Sequence, residues 1–123
     1  MTQSSNGIAS VLVIDDDQDL RRVLTLALTD EGYAVRAAPN GREALTLLES
    51  WRPDVILLDL MMPEMDGWTF RARQLATPGS EDVPVIVLSA ARETKAEALR
   101  PAAIVAKPFN LPDLLDTVAA IAR

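Results

Sequence analysis

Residues Val55–Gly67 read VILLDLMMPEMDG, and this stretch decides the fold. The unbroken apolar run Val55–Leu58 ends abruptly in an acid, Asp59, with Met61-Met62-Pro63 and Asp66-Gly67 close behind. Apolar residues without polar alternation, closed by turn formers, predict a strand buried on both faces. An Asp that ends such a strand stands at the edge where open α/β sheets take their ligands.

Working outward, the same pattern recurs. Val11–Ile14 is a short apolar run ending in Asp15, Asp16 and Asp17, and predicts β1. Leu20, Val23, Leu24, Ala27 and Leu28 then recur at helical spacing opposite Arg21, Arg22 and Thr25, which predicts a helix over Gln18–Asp30 stopped by Gly32. Tyr33–Ala37 predicts β2. Asn40 with Glu43 forms a capping box for a helix carrying Ala44, Leu45, Leu47 and Leu48. Pro53 separates that helix from β3, Val55–Leu58.

Downstream, a helix is predicted from Asp66 or Gly67 to about Ala76, then a loop over Thr77–Val83. Val85–Leu88 is β4, leading into Ser89-Ala90, and a short polar helix follows over Thr94–Leu99. Ile104-Val105 is a minimal β5 before Lys107-Pro108-Phe109. Asn110 caps a last helix through Ile121, with Asp113 at its capping-box position. Strands alternating with helices predict a parallel sheet with right-handed crossovers and helices on both faces. The polar residues 1–9 are expected to form a flexible N-terminal segment, and residues 10–123 the domain.

Composition narrows the function. A chain of 123 residues that is 49% hydrophobic can bury one real core. A net charge of −6 argues against nucleic acid or an anionic membrane as direct partner. Without cysteine there is no thiolate chemistry, and without histidine no His base, His metal ligand or phosphohistidine on this chain. The start, MTQSSNGIAS, lacks a basic n-region and an apolar h-region, and no apolar run nears the roughly 18 residues of a membrane span. The expectation is a soluble cytoplasmic domain.

Every predicted strand except β2 is followed by a polar or charged residue: Asp15-Asp16, Asp59, Ser89 and Lys107. In a parallel sheet those ends share one edge. Three acids so placed repel one another by about 4 kcal/mol per pair at 4 Å and an effective dielectric near 20, so one must protonate or a cation must neutralise them. An all-oxygen cluster selects a hard divalent ion, Mg²⁺ first, with Mn²⁺ as its substitute. A carboxylate facing such an ion, an ammonium and a hydroxyl suits phosphoryl transfer through an acyl phosphate. With no nucleotide-binding Gly-rich loop, the phosphoryl group must come from outside.

These pieces, VLVIDDDQDL, VILLDLMMPEMDG, VIVLSA and AKPF in that order, make the chain resemble the receiver domain of two-component response regulators from about Ser10 to Ala122. The resemblance implies a flavodoxin-like (βα)5 three-layer sandwich, a five-stranded parallel sheet in strand order 2-1-3-4-5. It implies that Asp59 is the phosphoacceptor, with Asp16 a direct Mg²⁺ ligand, Asp15 acting largely through a metal-bound water, and the Met61 backbone carbonyl completing the metal shell. Ser89 and Lys107 are implied as phosphoryl contacts, and Lys107-Pro108 as a cis peptide. The implied partners are a histidine kinase or histidine phosphotransfer protein and a downstream protein target, and the domain is a signalling switch rather than an enzyme. Ending after its last helix, the chain is expected to be a stand-alone receiver or a fragment.

Three departures from the family pattern stand out. The switch aromatic, three residues before the lysine, is Ile104. The usual Gly-Ala before β5 is Ala102-Ala103. The segment between Ser89 and Lys107 is about one helical turn short, so the fourth helix is expected to be short or irregular, and the Ser89-based switch weaker or relocated to the loop after β4. Ala91 offers no polar group to orient a water, which hints at slow self-dephosphorylation. Two other functions compete. A degenerate receiver would serve as a constitutive interaction module, against which stands the complete acid, Ser89 and Lys107 set. A Mg²⁺-dependent phosphohydrolase wants a second acid two residues past its nucleophile, and Met61 occupies that place.

Overall fold

Val11–Ile14 and Val55–Leu58 are fully buried, as runs without polar alternation require when both sheet faces are covered. The computed structural model describes residues 8–62, 64–90 and 94–122. Its elements follow the predicted alternation: β1 (Ser10–Ile14), α1 (Gln18–Asp30), β2 (Ala34–Ala38), α2 (Gly41–Leu48), β3 (Val55–Asp59), α3 (Gly67–Leu75), β4 (Val85–Ala90), a 3₁₀ helix (Thr94–Leu99), β5 (Ala103–Lys107) and α4 (Leu111–Ile121). The sheet is parallel throughout, in the order β2-β1-β3-β4-β5.

Side-chain alternation sorts the strands onto two cores. Leu12, Ile14, Ile56, Leu58, Val85 and Val87 face α2, α3 and the 3₁₀ helix, where Ala44, Leu48, Phe70 and Ala96 meet them. Val11, Val13, Val55, Leu57, Ile86 and Leu88 face α1 and α4, packing on Leu24, Leu28, Leu114 and Val118. Among the described residues, no helix is long and apolar enough to cross a membrane.

Side chains start the helices where the sequence predicts. Asp17 accepts the Asp19 and Leu20 N–H groups at the head of α1. Asn40 accepts from Glu43 (2.9 Å), Asp66 from Thr69 (2.8 Å) and Asn110 from Asp113 (2.8 Å). Each bond satisfies an N–H that the helix cannot pair internally.

Some boundaries differ from expectation. β2 begins one residue later, because the Tyr33 N–H closes the end of α1 on the Leu28 carbonyl (3.1 Å). β5 is five residues rather than two: pairing with β4 from Ile86↔Ala103 to Ala90↔Lys107 recruits alanines whose own strand preference is low. The expected short fourth helix is a single 3₁₀ segment. The expectations for residues 1–7, for Ala91 and for the loop after β4 that runs through residues 91–93 fall outside the described residues.

Gly67 starts α3 directly beneath Asp59. A Cβ there would lie 2.8 Å from Leu60 Cα and 2.9 Å from the Asp59 carbonyl oxygen, so backbone would have to yield. Gly67→Ala is expected to cost about 1–3 kcal/mol in urea unfolding, the range for overpacked positions. An unchanged midpoint would mean that the loop after Asp59 gives way freely.

Candidate functional site

The register brings the acids together. Ile14 pairs with Leu58, so the next residues, Asp15 and Asp59, lie side by side at the ends of adjacent strands. Asp15 is fully buried, Asp59 is 6% exposed, and Asp16 is open to solvent. Carboxylate oxygens of Asp15, Asp16 and Asp59 all lie within 4.8 Å of one another. Lys107, two strands from β3, reaches back to this pair: its Nζ is 3.1 Å from Asp15 Oδ2 and 3.4 Å from Asp59 Oδ1. The Lys107-Pro108 peptide is cis, as the resemblance implies.

Asp15 is held on both sides. The Asp17 N–H donates to its Oδ1 (2.9 Å), and the Arg21 guanidinium donates to its carbonyl (2.8 Å). Asp59 Oδ1 accepts a longer bond from the Met61 N–H (3.4 Å). The Met61 side chain is 66% exposed and offers no acid two residues past Asp59. These groups open on a cleft of about 750 Å³, walled by the acids, Met61, Lys107, Leu20 of α1 and Pro108-Phe109.

Burial, and then the charge of Asp15, push the Asp59 carboxyl up to about 6 against the pull of Lys107. Burial alone would lower the Lys107 ammonium, but its hydrogen bond to Asp15 and the charges of Asp15 and Asp59 outweigh it and raise its pKa. The site therefore holds more negative charge than one lysine neutralises. Three hard oxygen donors, with no sulfur or nitrogen ligand beside them, fit a small divalent cation such as Mg²⁺.

Ser89 and Ile104 come from β4 and β5. Ser89 is 4% exposed on β4, but it shares the alternation of Val85 and Val87, toward the α3 face, and does not line the cleft. Ile104 is 39% exposed on the outer strand, so the place of the expected switch aromatic is a half-open surface position. Reading the sequence missed Arg71 and Gln74 altogether. They look like the solvated face of α3 yet are 8% and 0% exposed.

A doubly wound parallel sheet with acids gathered where the strand order reverses, between β1 and β3, is a flavodoxin-like α/β domain with an acidic ligand site. The chain matches the response regulator receiver domain over residues 11–119 and belongs to that family of two-component signalling domains. It is 42% identical over 120 residues to the response regulator MprA of Mycolicibacterium vanbaalenii, covering 92% of this chain and half the length of that relative. Among solved structures, it resembles the chemotaxis protein CheY4 of Vibrio cholerae, with TM-score 0.87, 31% identity, and coverage of 94% of this chain and 99% of that one. It also resembles the response regulator TrrA of Thermotoga maritima in complex with Mg²⁺–BeF, with TM-score 0.82, 28% identity, and coverage of 93% and 99%.

The charge balance makes a pH prediction. The folded chain holds the Asp59 proton up to about pH 6, whereas a free carboxyl loses it near 3.8. Between those values the native state binds more protons, so stability falls as pH rises through the window. The cost is complete above pH 6 and amounts to about 3 kcal/mol at most. In chelated buffer, Asp59→Asn should therefore raise the urea midpoint at pH 7.5 and leave it unchanged below pH 4. An equal gain at both pH values would place the repulsion elsewhere.

Proposed function

We propose that this receiver domain is a phosphorylation-controlled switch in which Asp59 accepts a phosphoryl group from a phosphohistidine on a histidine kinase or phosphotransfer protein. The observation that carries the reading is a strand-ending carboxylate, nearly buried, beside two further acids and 3.4 Å from an ammonium. With its carboxyl near 6, Asp59 is mostly ionised at neutral pH and open to the cleft. Its oxygen attacks phosphorus, the P–N bond of the donor breaks, and an acyl phosphate remains on the chain. With no histidine and no phosphate-binding glycine loop of its own, the chain takes the phosphoryl group from outside, and membership of the receiver family supports phosphohistidine as the donor class.

Asp15, Asp16 and Asp59 would hold Mg²⁺, with the Met61 carbonyl as a further ligand and Mn²⁺ as a substitute ion. The ion supplies positive charge against the carboxylates and the phosphoryl oxygens. Lys107 is already within ion-pair distance of Asp59 and neutralises a phosphoryl oxygen once the carboxylate is phosphorylated. Ser89, at the same sheet edge, contacts the phosphoryl group after a shift of β4's end, and that movement, with Ile104 on the neighbouring strand, changes protein–protein contacts. The Mg²⁺–BeF complex of the Thermotoga relative supports the same ion and site class here.

Acetyl phosphate with Mg²⁺ should add one phosphoryl group to the wild-type chain and none to Asp59→Asn, read by intact mass. Labelling that persists in the variant would move the acceptor to another residue. Mg²⁺ should raise the melting temperature of the wild type by relieving acid repulsion, and Asp16→Asn should blunt the rise. A melting temperature that stays flat into tens of millimolar Mg²⁺ would contradict the metal site.

A further inference from the structure

Arg71 sits on α3 with 8% of its surface exposed, and each of its guanidinium nitrogens is used. Nε donates to the Leu99 carbonyl (3.0 Å), Nη2 to the Arg100 carbonyl (3.1 Å) and Nη1 to Gln74 Oε1 (2.7 Å). Gln74, fully buried, passes the chain of bonds on to the Ser80 and Val83 carbonyls (2.9 and 3.1 Å). Among the described residues no carboxylate pairs with Arg71, and burial lowers its pKa. A buried cation held by neutral acceptors is costly and needs a reason.

The reason lies in what those carbonyls end. Leu99 closes the 3₁₀ helix, Arg100 turns the chain at φ 53, and two residues later the Ala102 N–H donates to the Val85 carbonyl (2.8 Å) to open the β5 ladder. Lys107 is the last residue of that ladder. A slip of one residue at the turn would move Lys107 by about 3.3 Å and invert its face. At its other end α3 abuts the acceptor: the Gly67 N–H bonds to the Leu60 carbonyl (2.9 Å), with no room for a Cβ against Asp59.

We infer that Arg71 is a positioning residue that ties α3, which abuts Asp59, to the turn that sets the register of β5, and so places the Lys107 ammonium against Asp15 and Asp59. It does so by bonding the Leu99 and Arg100 carbonyls at the end of the short 3₁₀ segment. Its use in phosphoryl chemistry rests on the role proposed for Lys107, whereas the placement itself is testable in the unmodified protein.

The test is a double-mutant cycle on the full chain, read as urea midpoints in chelated buffer at pH 7.5. Lys107→Met should lower the midpoint, because it leaves the Asp15 and Asp59 charges uncompensated. In an Arg71→Met background that drop should shrink by half or more, although no bond joins the two side chains. If Arg71→Met does not fold, Arg71→Lys, which keeps one donor, should show coupling of the same sign. Equal drops in both backgrounds would overturn the inference. So would the same coupling between Arg71 and Leu28→Val, buried on α1 against the opposite face of the sheet, since that would mark a general loss of packing. Because no phosphoryl group enters the measurement, its failure is separate from a failure of acetyl phosphate to label Asp59.

Discussion

The Lys107 ammonium stands between two buried carboxylates, and much of the molecule serves to hold it there. Strand order places β4 between β3 and β5. With strands about 4.8 Å apart, roughly 10 Å of backbone separates Asp59 from Lys107. Only a long cationic side chain spans that gap. Alternation then decides which side it takes: Asp15, Asp59 and Lys107 share the phase of Val11 and Val13, Val55 and Leu57, and Ala103 and Val105, the α1 and α4 side. The cleft accordingly lies between Leu20 of α1 and Phe109 before α4.

One lysine does not balance the site. Asp59 remains raised to about 6 because burial and Asp15 together outweigh the lysine and the Met61 N–H. The fold therefore carries an unfavourable charge arrangement at the one edge where its strands end in polar residues. The two apolar cores that flank the sheet offset it. A divalent ion held by these acids would relieve the same excess and so link metal binding to stability.

Much of this was legible in the sequence for simple reasons. Short unbroken runs such as Val11–Ile14 and Val55–Leu58, closed by turn formers, read as strands covered on both faces, and caps such as Asn40 and Asp66 carry a local signal. Given parallel strands, convergence of Asp15, Asp59 and Lys107 follows from topology. The short β5 was misjudged because Ala103 and Ala106 form strand only through their partners on β4. Ser89 was singled out by its position after β4, where it is 4% exposed and shares the alternation of Val85 and Val87. Arg71 and Gln74 gave no signal at all, since FRARQ on a helix reads as a wetted face. Arg71 is held by carbonyls 28 and 29 residues away in sequence, and Gln74 by carbonyls of the loop after α3.

Magnitudes explain why an arginine can occupy that place on α3. Desolvating a guanidinium costs several kcal/mol, more than any single neutral hydrogen bond returns. Without the guanidinium the part-buried Leu99 and Arg100 carbonyls would lose a charged donor, worth about 1.5–3 kcal/mol at most per bond, and Gln74 would lose the partner that orients it toward Ser80 and Val83. The balance favours arginine only when all three nitrogens are engaged, as they are. Lysine would satisfy one carbonyl and an apolar residue neither. The cost of burying the charge is thus the counterpart of a short connection whose final carbonyls, at Leu99 and Arg100, have the guanidinium as donor, and it fixes where β5 begins.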